Sequence, residues 1–444
     1  MELTSPYWKN VWQNLRRESK SHPTFVFLLL ALLTIPMGYA VNGIAVALLV
    51  LATLLTLKKA NFASDAALWL PVALFGLMAV SLVWTIDWPS SVKALQKGLP
   101  LVLIPLCLLV GPPMTEDSRR NLTYFFSLGM LVFAVFWLVQ ALVRFAITRD
   151  ASVFFYHALV TEDVNAIHVS VYVVVAIAGF VTRPRQSLTD KVALILLPAF
   201  LVLLSSKNIF VIFILLAVIY GLRHFRKLRQ SRRLIFASAL VVLIGIAFSG
   251  KVIDRFMIEF QTGAKERTIN RELSNETGKV YNVSIGQAWS QQRFAQNDYF
   301  PGAAFRVYQV RIFGELLAED PIWLTGYGLN AASERIREKG LEHNVFSGSA
   351  EADGYQNKNF HNQYIQLFAE LGIFGLLILI AMLFVNLKNA LRSKDFVHIS
   401  FAILMISLFL TESFLSRQRG IVFFAILYSL FNVRTTAGGI KNRS

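Results

Sequence analysis

The chain has 444 residues, of which 55% are hydrophobic and 16% charged, where a soluble domain carries about 25% charged residues. This excludes a disordered chain, a disulfide scaffold (Cys107 is the single cysteine) and an ordinary soluble enzyme, and leaves a polytopic membrane protein. The net charge of +16 would suggest nucleic acid on a soluble protein, so its placement along the chain decides its meaning.

Twelve apolar stretches read as transmembrane helices: 24–41, 42–57, 66–84, 98–112, 122–143, 167–182, 192–206, 208–222, 234–249, 364–387, 396–411 and 420–433. The first two form a hairpin around Gly43. The seventh and eighth join at Ser205-Ser206-Lys207-Asn208. With the N-terminus inside, the inner segments carry 23 Lys and Arg and the short outer loops carry 7. That bias places both termini in the cytoplasm. The basic excess is then a topology signal, and no nucleic acid partner is expected. The basic run 223–233 follows from orientation, with contact to anionic headgroups as the lesser reading. The polar, amphipathic stretch 1–23 reads as no cleavable leader.

Residues 250–357 hold no span. They carry 12 Lys and Arg and 14 Asp and Glu, and they fall on the outer face. Phe305, Tyr308, Ile312 and Leu316 recur at helical spacing. The stretch from Thr262 to Asn297 is polar and reads as a loose excursion. The expected fold is therefore all-α: about twelve transmembrane helices with one large, mainly helical periplasmic loop. Residues 1–249 hold helices one to nine, 250–357 the loop, and 358–444 helices ten to twelve with a cytoplasmic tail.

Before the tenth span stands His361-Asn362-Gln363-Tyr364-Ile365-Gln366-Leu367-Phe368-Ala369-Glu370-Leu371-Gly372-Ile373-Phe374-Gly375. As a helix it sets Asn362, Gln366 and Glu370 on one face. A polar stripe entering a membrane helix is costly unless it faces protein or water. The Gly372-x-x-Gly375 pair permits close packing or a bend.

This segment resembles the signature of bacterial O-antigen ligases, in the superfamily that also holds O-antigen polymerases and protein O-oligosaccharyltransferases. Further features are similar. Arg306 precedes Pro321 by fifteen residues, and Gly326-Tyr327-Gly328 follows. The family's basic residue at an outer helix end is matched by Ser206-Lys207, although Lys stands where the family usually has Arg.

The resemblance implies a membrane glycosyltransferase. Its donor would be a glycan on undecaprenyl pyrophosphate and its acceptor a sugar hydroxyl of lipid A–core, joined at the periplasmic face with inversion. The pyrophosphate leaves as a stable anion and needs positive charge more than a general acid. Arg306 is the first candidate, since a guanidinium fork bonds two phosphate oxygens. Arg311 and Lys207 follow as substrate-binding residues, with Asn362, Tyr364 and Glu370. His361 is the candidate base for the acceptor hydroxyl. Arg306 and Arg311 are five residues apart, so a regular helix turns them away from each other. Glu370 lies nine residues beyond His361, about 13 Å along a helix, too far for contact. No Asp-x-Asp motif occurs, and neither metal nor cofactor is expected. The acidic pair Glu351 and Asp353 reads as solvated loop. His168 and Tyr172 share a helix face and read as packing, and Cys107 as apolar filler.

Other readings stay open. A polymerase would join two lipid-linked units, and a protein transferase would use a Ser or Thr hydroxyl. A secondary transporter or flippase would show two similar halves, and no internal repeat is visible here.

Overall fold

A computed structural model describes residues 6–57, 65–161, 164–223, 267–270, 273–274, 278–349 and 353–434. The expected ninth span, 234–249, lies outside the described residues. So do most of the basic run 223–233, Lys58 and Lys59, Glu351, much of the polar stretch before 278, and the tail beyond 434.

The described part is mainly helical. In chain order come α1 (Pro6–Ser21), α2 (Phe25–Leu33), α3 (Tyr39–Leu55), α4 (Trp69–Val80), α5 (Trp88–Gly98), α6 (Pro100–Val110), α7 (Glu116–Thr148), α8 (Tyr156–Val160), α9 (Ala166–Val181), α10 (Leu188–Leu203) and α11 (Lys207–Arg223). After the undescribed segment come α12 (Ile285–Ser290), α13 (Gly302–Glu319), α14 (Ser333–Glu342), α15 (Gln363–Ser393), α16 (Phe396–Leu408) and α17 (Gln418–Asn432).

Helix starts follow local chemistry. Thr115 caps α7 by accepting from Ser118 N at 3.1 Å. Ser187 and Asp190 form a reciprocal capping box on α10. Asp395 caps α16. The first hairpin differs from expectation: α2 ends before Pro36, and α3 is capped by Gly38. Gly43 lies inside α3. Proline removes a backbone donor, so it, rather than the glycine, sets the turn.

Among the described residues, four helical stretches are long and apolar enough to cross a membrane: Ala66–Val83, Trp88–Val110, Glu116–Thr148 and Gln363–Ser393. Tyr39–Leu55, Ala166–Val181 and Phe396–Leu408 are apolar but shorter. One large core joins these helices, with α9, α16 and α17 at its centre.

A second core is built by the segment between α11 and α15. Tyr308, Ile312 and Leu316 of α13 are buried there with Phe294, Phe300 and Ile336. The described part of this segment's polar first half is more than a loose excursion. It contributes β1 (Thr268–Ile269), β2 (Tyr281–Asn282) and, just beyond, β3 (Asp298–Tyr299). The strand order is β1-β2-β3. β1 and β2 are antiparallel with Thr268 opposite Asn282, and β2 and β3 are parallel with Tyr281 opposite Asp298.

Candidate functional site

The turn before α15 presents His361. Its backbone is left-handed, with φ +46°, a conformation that side chains other than glycine's adopt at a cost. Asn359 Oδ1 holds the His361 amide at 3.0 Å. Asn362 caps the helix by accepting from Tyr364 N at 3.0 Å and Ile365 N at 3.1 Å. Three further bonds tie this first turn to the end of α16 and its connection to α17. Asn362 Nδ2 donates to Leu410 O at 3.2 Å. Gln363 N donates to Phe409 O at 2.8 Å. Tyr364 Oη donates to Ile406 O at 3.0 Å.

That connection carries Glu412, between the ends of both helices. One of its carboxyl oxygens lies 3.4 Å from His361 Nδ1 and the other 3.4 Å from an Arg306 amino nitrogen. Burial alone would raise this carboxyl. The hydrogen bond and charge of His361, with the charges of Arg306 and His168, hold it below the ordinary carboxylate range. Arg306 is further fixed by Nε donating to Thr411 O at 3.1 Å and Nη1 donating to Gly302 O at 2.9 Å. A guanidinium has five N–H donors. Three are engaged among the described residues, and two remain for a ligand. The Arg306 and His361 side chains are 33% and 31% exposed, while Glu412 is 10% exposed. The imidazole and the guanidinium thus face outward from a buried carboxylate. The Phe305 ring stands edge-on to His361, with centroids 5.6 Å apart.

Lys207 opens α11 at the same end. Its neighbour Asn208 donates to Thr411 Oγ1 at 2.7 Å and accepts from Ser407 Oγ at 3.1 Å. The start of α11 is thereby pinned to the Glu412 turn.

The motif glycines explain one another. Gly372 breaks α15, with φ +65° and ψ −163°. A Cβ on it would sit 2.1 Å from Leu324 O. Freed by the break, Ala369 O and Glu370 O accept from Tyr327 N at 2.8 Å and Gly328 N at 2.9 Å, and Ile373 N donates to Trp323 O at 2.8 Å. Gly326 has φ +66°, and a Cβ there would meet the Glu370 carbonyl carbon at 2.3 Å. The Gly326-x-Gly328 loop therefore docks into the helix at Gly372, bonding backbone to backbone. Its far side is held by Trp84 Nε1 on Thr325 O at 2.9 Å and Ile86 N on Tyr327 O at 3.0 Å.

Of the sequence candidates, His361, Arg306, Asn362 and Tyr364 converge on this turn, with Lys207 adjacent through Asn208. Arg311 goes elsewhere. Glu315 holds it at 2.7 Å and the Gln291 carbonyl at 2.7 Å, on the loop side. Glu370 is buried two turns below His361 and accepts from Gln366. Gln366 in turn accepts from Ser413 Oγ at 3.3 Å, so the polar stripe connects to the Glu412 turn through its middle member. His168 is buried against Phe414, with centroids 4.4 Å apart. Asp353 pairs with Lys358 at 3.0 Å. Among the described residues, no group of three or more His, Cys, Asp or Glu could hold a metal ion.

Sequence reasoning missed Glu412. Its signal was present: it is the one carboxylate between Phe396 and the C-terminus, lodged between two apolar helices, where an ionisable group is expensive and asks for a partner.

Apolar helices of spanning length, with a buried carboxylate holding an imidazole and a guanidinium at one end, define a helical membrane protein with a polar site at the mouth of its bundle. Residues 192–380, from α10 into α15 past Gly375, match the family model described as O-Antigen ligase. That family points to a glycosyltransferase-like membrane enzyme acting on lipid-linked glycans. The matched stretch contains Lys207, Arg306, Arg311, His361, Asn362, Tyr364 and Glu370, while Glu412 lies beyond it. No curated protein matches the chain.

Proposed function

We propose that this protein transfers a glycan from undecaprenyl pyrophosphate to a sugar hydroxyl of lipid A–core, at the periplasmic face of the bacterial inner membrane. The observation that carries this reading is the Glu412 carboxylate shared by His361 and Arg306. With Nδ1 turned to Glu412, His361 keeps Nε2 for the acceptor hydroxyl. The ionised carboxylate favours the Nδ1–H tautomer and stabilises the imidazolium formed when the proton arrives. Such a base is worth about 10²–10⁴ in rate. The two remaining Arg306 N–H groups suit the oxygens of the departing pyrophosphate, where charge builds as the glycosidic bond breaks. Lys207 adds a second positive charge from α11. Asn362 and Tyr364 serve by fixing the turn. A single displacement at the anomeric carbon inverts its configuration.

In this reading twelve spans cross the membrane with both termini cytoplasmic, as the basic residues suggest. Residues 250–357 form the periplasmic loop, flanked by nine helices before and three after. The decisive experiment is reconstitution with purified lipid-linked glycan and a choice of acceptors. Transfer to lipid A–core supports ligation. Chain growth on a second lipid-linked unit, or transfer to Ser or Thr, would replace it with polymerase or protein transferase activity.

A further inference from the structure

A second polar cluster lies at the opposite end of the helical bundle. α15 begins beside His361 and runs roughly 45 Å by helical rise. The residue after its cap, Asp395, pairs with Arg119 in the first turns of α7 at 3.3 Å. Just along α7 from Arg119, a cavity of about 270 Å³ opens between α1, α7 and the α9–α10 connection. Its polar lining includes Asn10 and Asn14 from α1, Asn121 from α7, and Arg183 and Arg185 after α9. Among the described residues, no carboxylate lines it.

The acids nearest to it are already engaged. Glu18 accepts from Ser118 Oγ at 2.6 Å and from Asn121 Nδ2 at 2.8 Å. Asp190 accepts from Tyr124 Oη at 3.0 Å and from Ser187 N at 2.8 Å. The Arg183 guanidinium lies over the Tyr124 ring, 3.9 Å from its centroid, and that stacking fixes its plane. Its Nε is buried and makes no hydrogen bond among the described residues. A buried donor without an acceptor is costly. The Tyr124 platform is rigid, because its hydroxyl also meets the Tyr7 hydroxyl.

Orientation charges need only lie on one side of a membrane. They do not call for a walled cavity, a stacked guanidinium or an unfilled buried N–H. We infer that this pocket binds a phosphate-bearing anion. Planar guanidinium forks match phosphate oxygens, and the three carboxamides supply further donors. α1 adds a reason for proximity to lipid. It is amphipathic, and Trp8 and Trp12 are exposed on the same face as Arg16, beside Lys9, a mixture of aromatic and basic side chains suited to the headgroup layer. The same phosphate chemistry is offered by an anionic lipid headgroup and by a soluble phosphate.

The test uses the full chain in nanodiscs of phosphatidylcholine, alone or with phosphatidylglycerol, with inorganic phosphate as the soluble probe. Retained lipid is read by native mass spectrometry and stabilisation by thermal unfolding. Saturable binding of phosphatidylglycerol assigns a headgroup, and saturable stabilisation by inorganic phosphate in phosphatidylcholine discs assigns a soluble anion. The double change Arg183→Gln with Arg185→Gln should weaken either at least tenfold. Asn14→Asp, nearly isosteric, should do the same through charge and decides the matter if the double variant fails to fold. Absence of saturable binding by both probes, or unchanged affinity in Asn14→Asp, would overturn the inference.

Discussion

Arg306 and His361, distant in the chain and on separate elements, meet the two oxygens of one buried carboxylate, each at 3.4 Å. Glu412 therefore sets the separation and direction of both groups. Its loss acts on geometry and charge together, because it both positions the imidazole and the guanidinium and supplies the anion between them. Glu412→Gln keeps the shape but loses the anion. It should lower transfer by about 10²-fold, the usual cost of small misplacements of reacting groups. The readout is kcat in the reconstituted reaction, with membrane insertion unchanged. Wild-type kcat would detach Glu412 from the chemistry.

The same carboxylate predicts a pH dependence of stability. Its folded value lies below the ordinary value of 4.5, so the folded state binds this proton less readily than the unfolded chain. The stabilisation is fully present above about pH 4.5 and fades as pH falls towards the lower folded value. Thermal unfolding of wild type and Glu412→Gln between pH 3 and 7 should converge at the acidic end and separate above it. Parallel curves across the whole range would contradict the assignment.

His361→Ala should keep the protein in the membrane and reduce transfer by about 10²–10⁴-fold. Arg306→Lys should also fail. An ammonium is a point charge and cannot hold Thr411 O, Gly302 O and Glu412 while presenting further N–H groups. Single-turnover assays on both variants separate loss of binding from loss of chemistry. Near-normal turnover by Arg306→Lys would reduce Arg306 to a structural tie.

Activity should persist in EDTA, since Arg306 and Lys207 supply the positive charge assigned to the pyrophosphate. Chelation followed by rescue with a divalent ion would shift that role to a metal.

Much of this architecture was legible in the sequence because lipid imposes a strong compositional rule. Ten of the twelve apolar stretches coincide with described helices, 24–41 is broken at Pro36 between α2 and α3, and the His361 to Gly375 motif coincides with the start and break of α15. What was not legible depended on pairing across distance. Nothing near Glu412 in sequence names His361 or Arg306 as its partners. The divergence of Arg306 and Arg311 followed from helical spacing, but the destination of Arg311 depended on Glu315 and Gln291. The short strands at 268–269 and 281–282 lay in polar sequence, without the alternation that marks a half-buried strand.

Gly372 offers the sharpest structural test. Its break frees two α15 carbonyls and one amide, and the Trp323–Gly328 loop takes up all three. A methyl group at 372 meets two obstacles. It would lie 2.1 Å from Leu324 O, and its φ of +65° is strained for any L side chain by about 1–3 kcal/mol. Gly372→Ala should therefore expel the loop or straighten the helix. Either change withdraws the backbone bonds that seat the second core against α15. The expected outcome is a lower unfolding temperature and faster proteolysis within 302–357. Transfer should fall as well, because the repacked start of α15 carries His361. Gly375→Ala is the comparison: a Cβ there would meet Leu371 Cβ at 2.6 Å, so it too has a cost, but Gly375 does not have positive φ and none of the atoms nearest that Cβ belongs to the loop. It should be the milder of the two. Equal stability and equal protease resistance for Gly372→Ala and wild type would mean that the loop is held by its contacts to Trp84 and Ile86 alone.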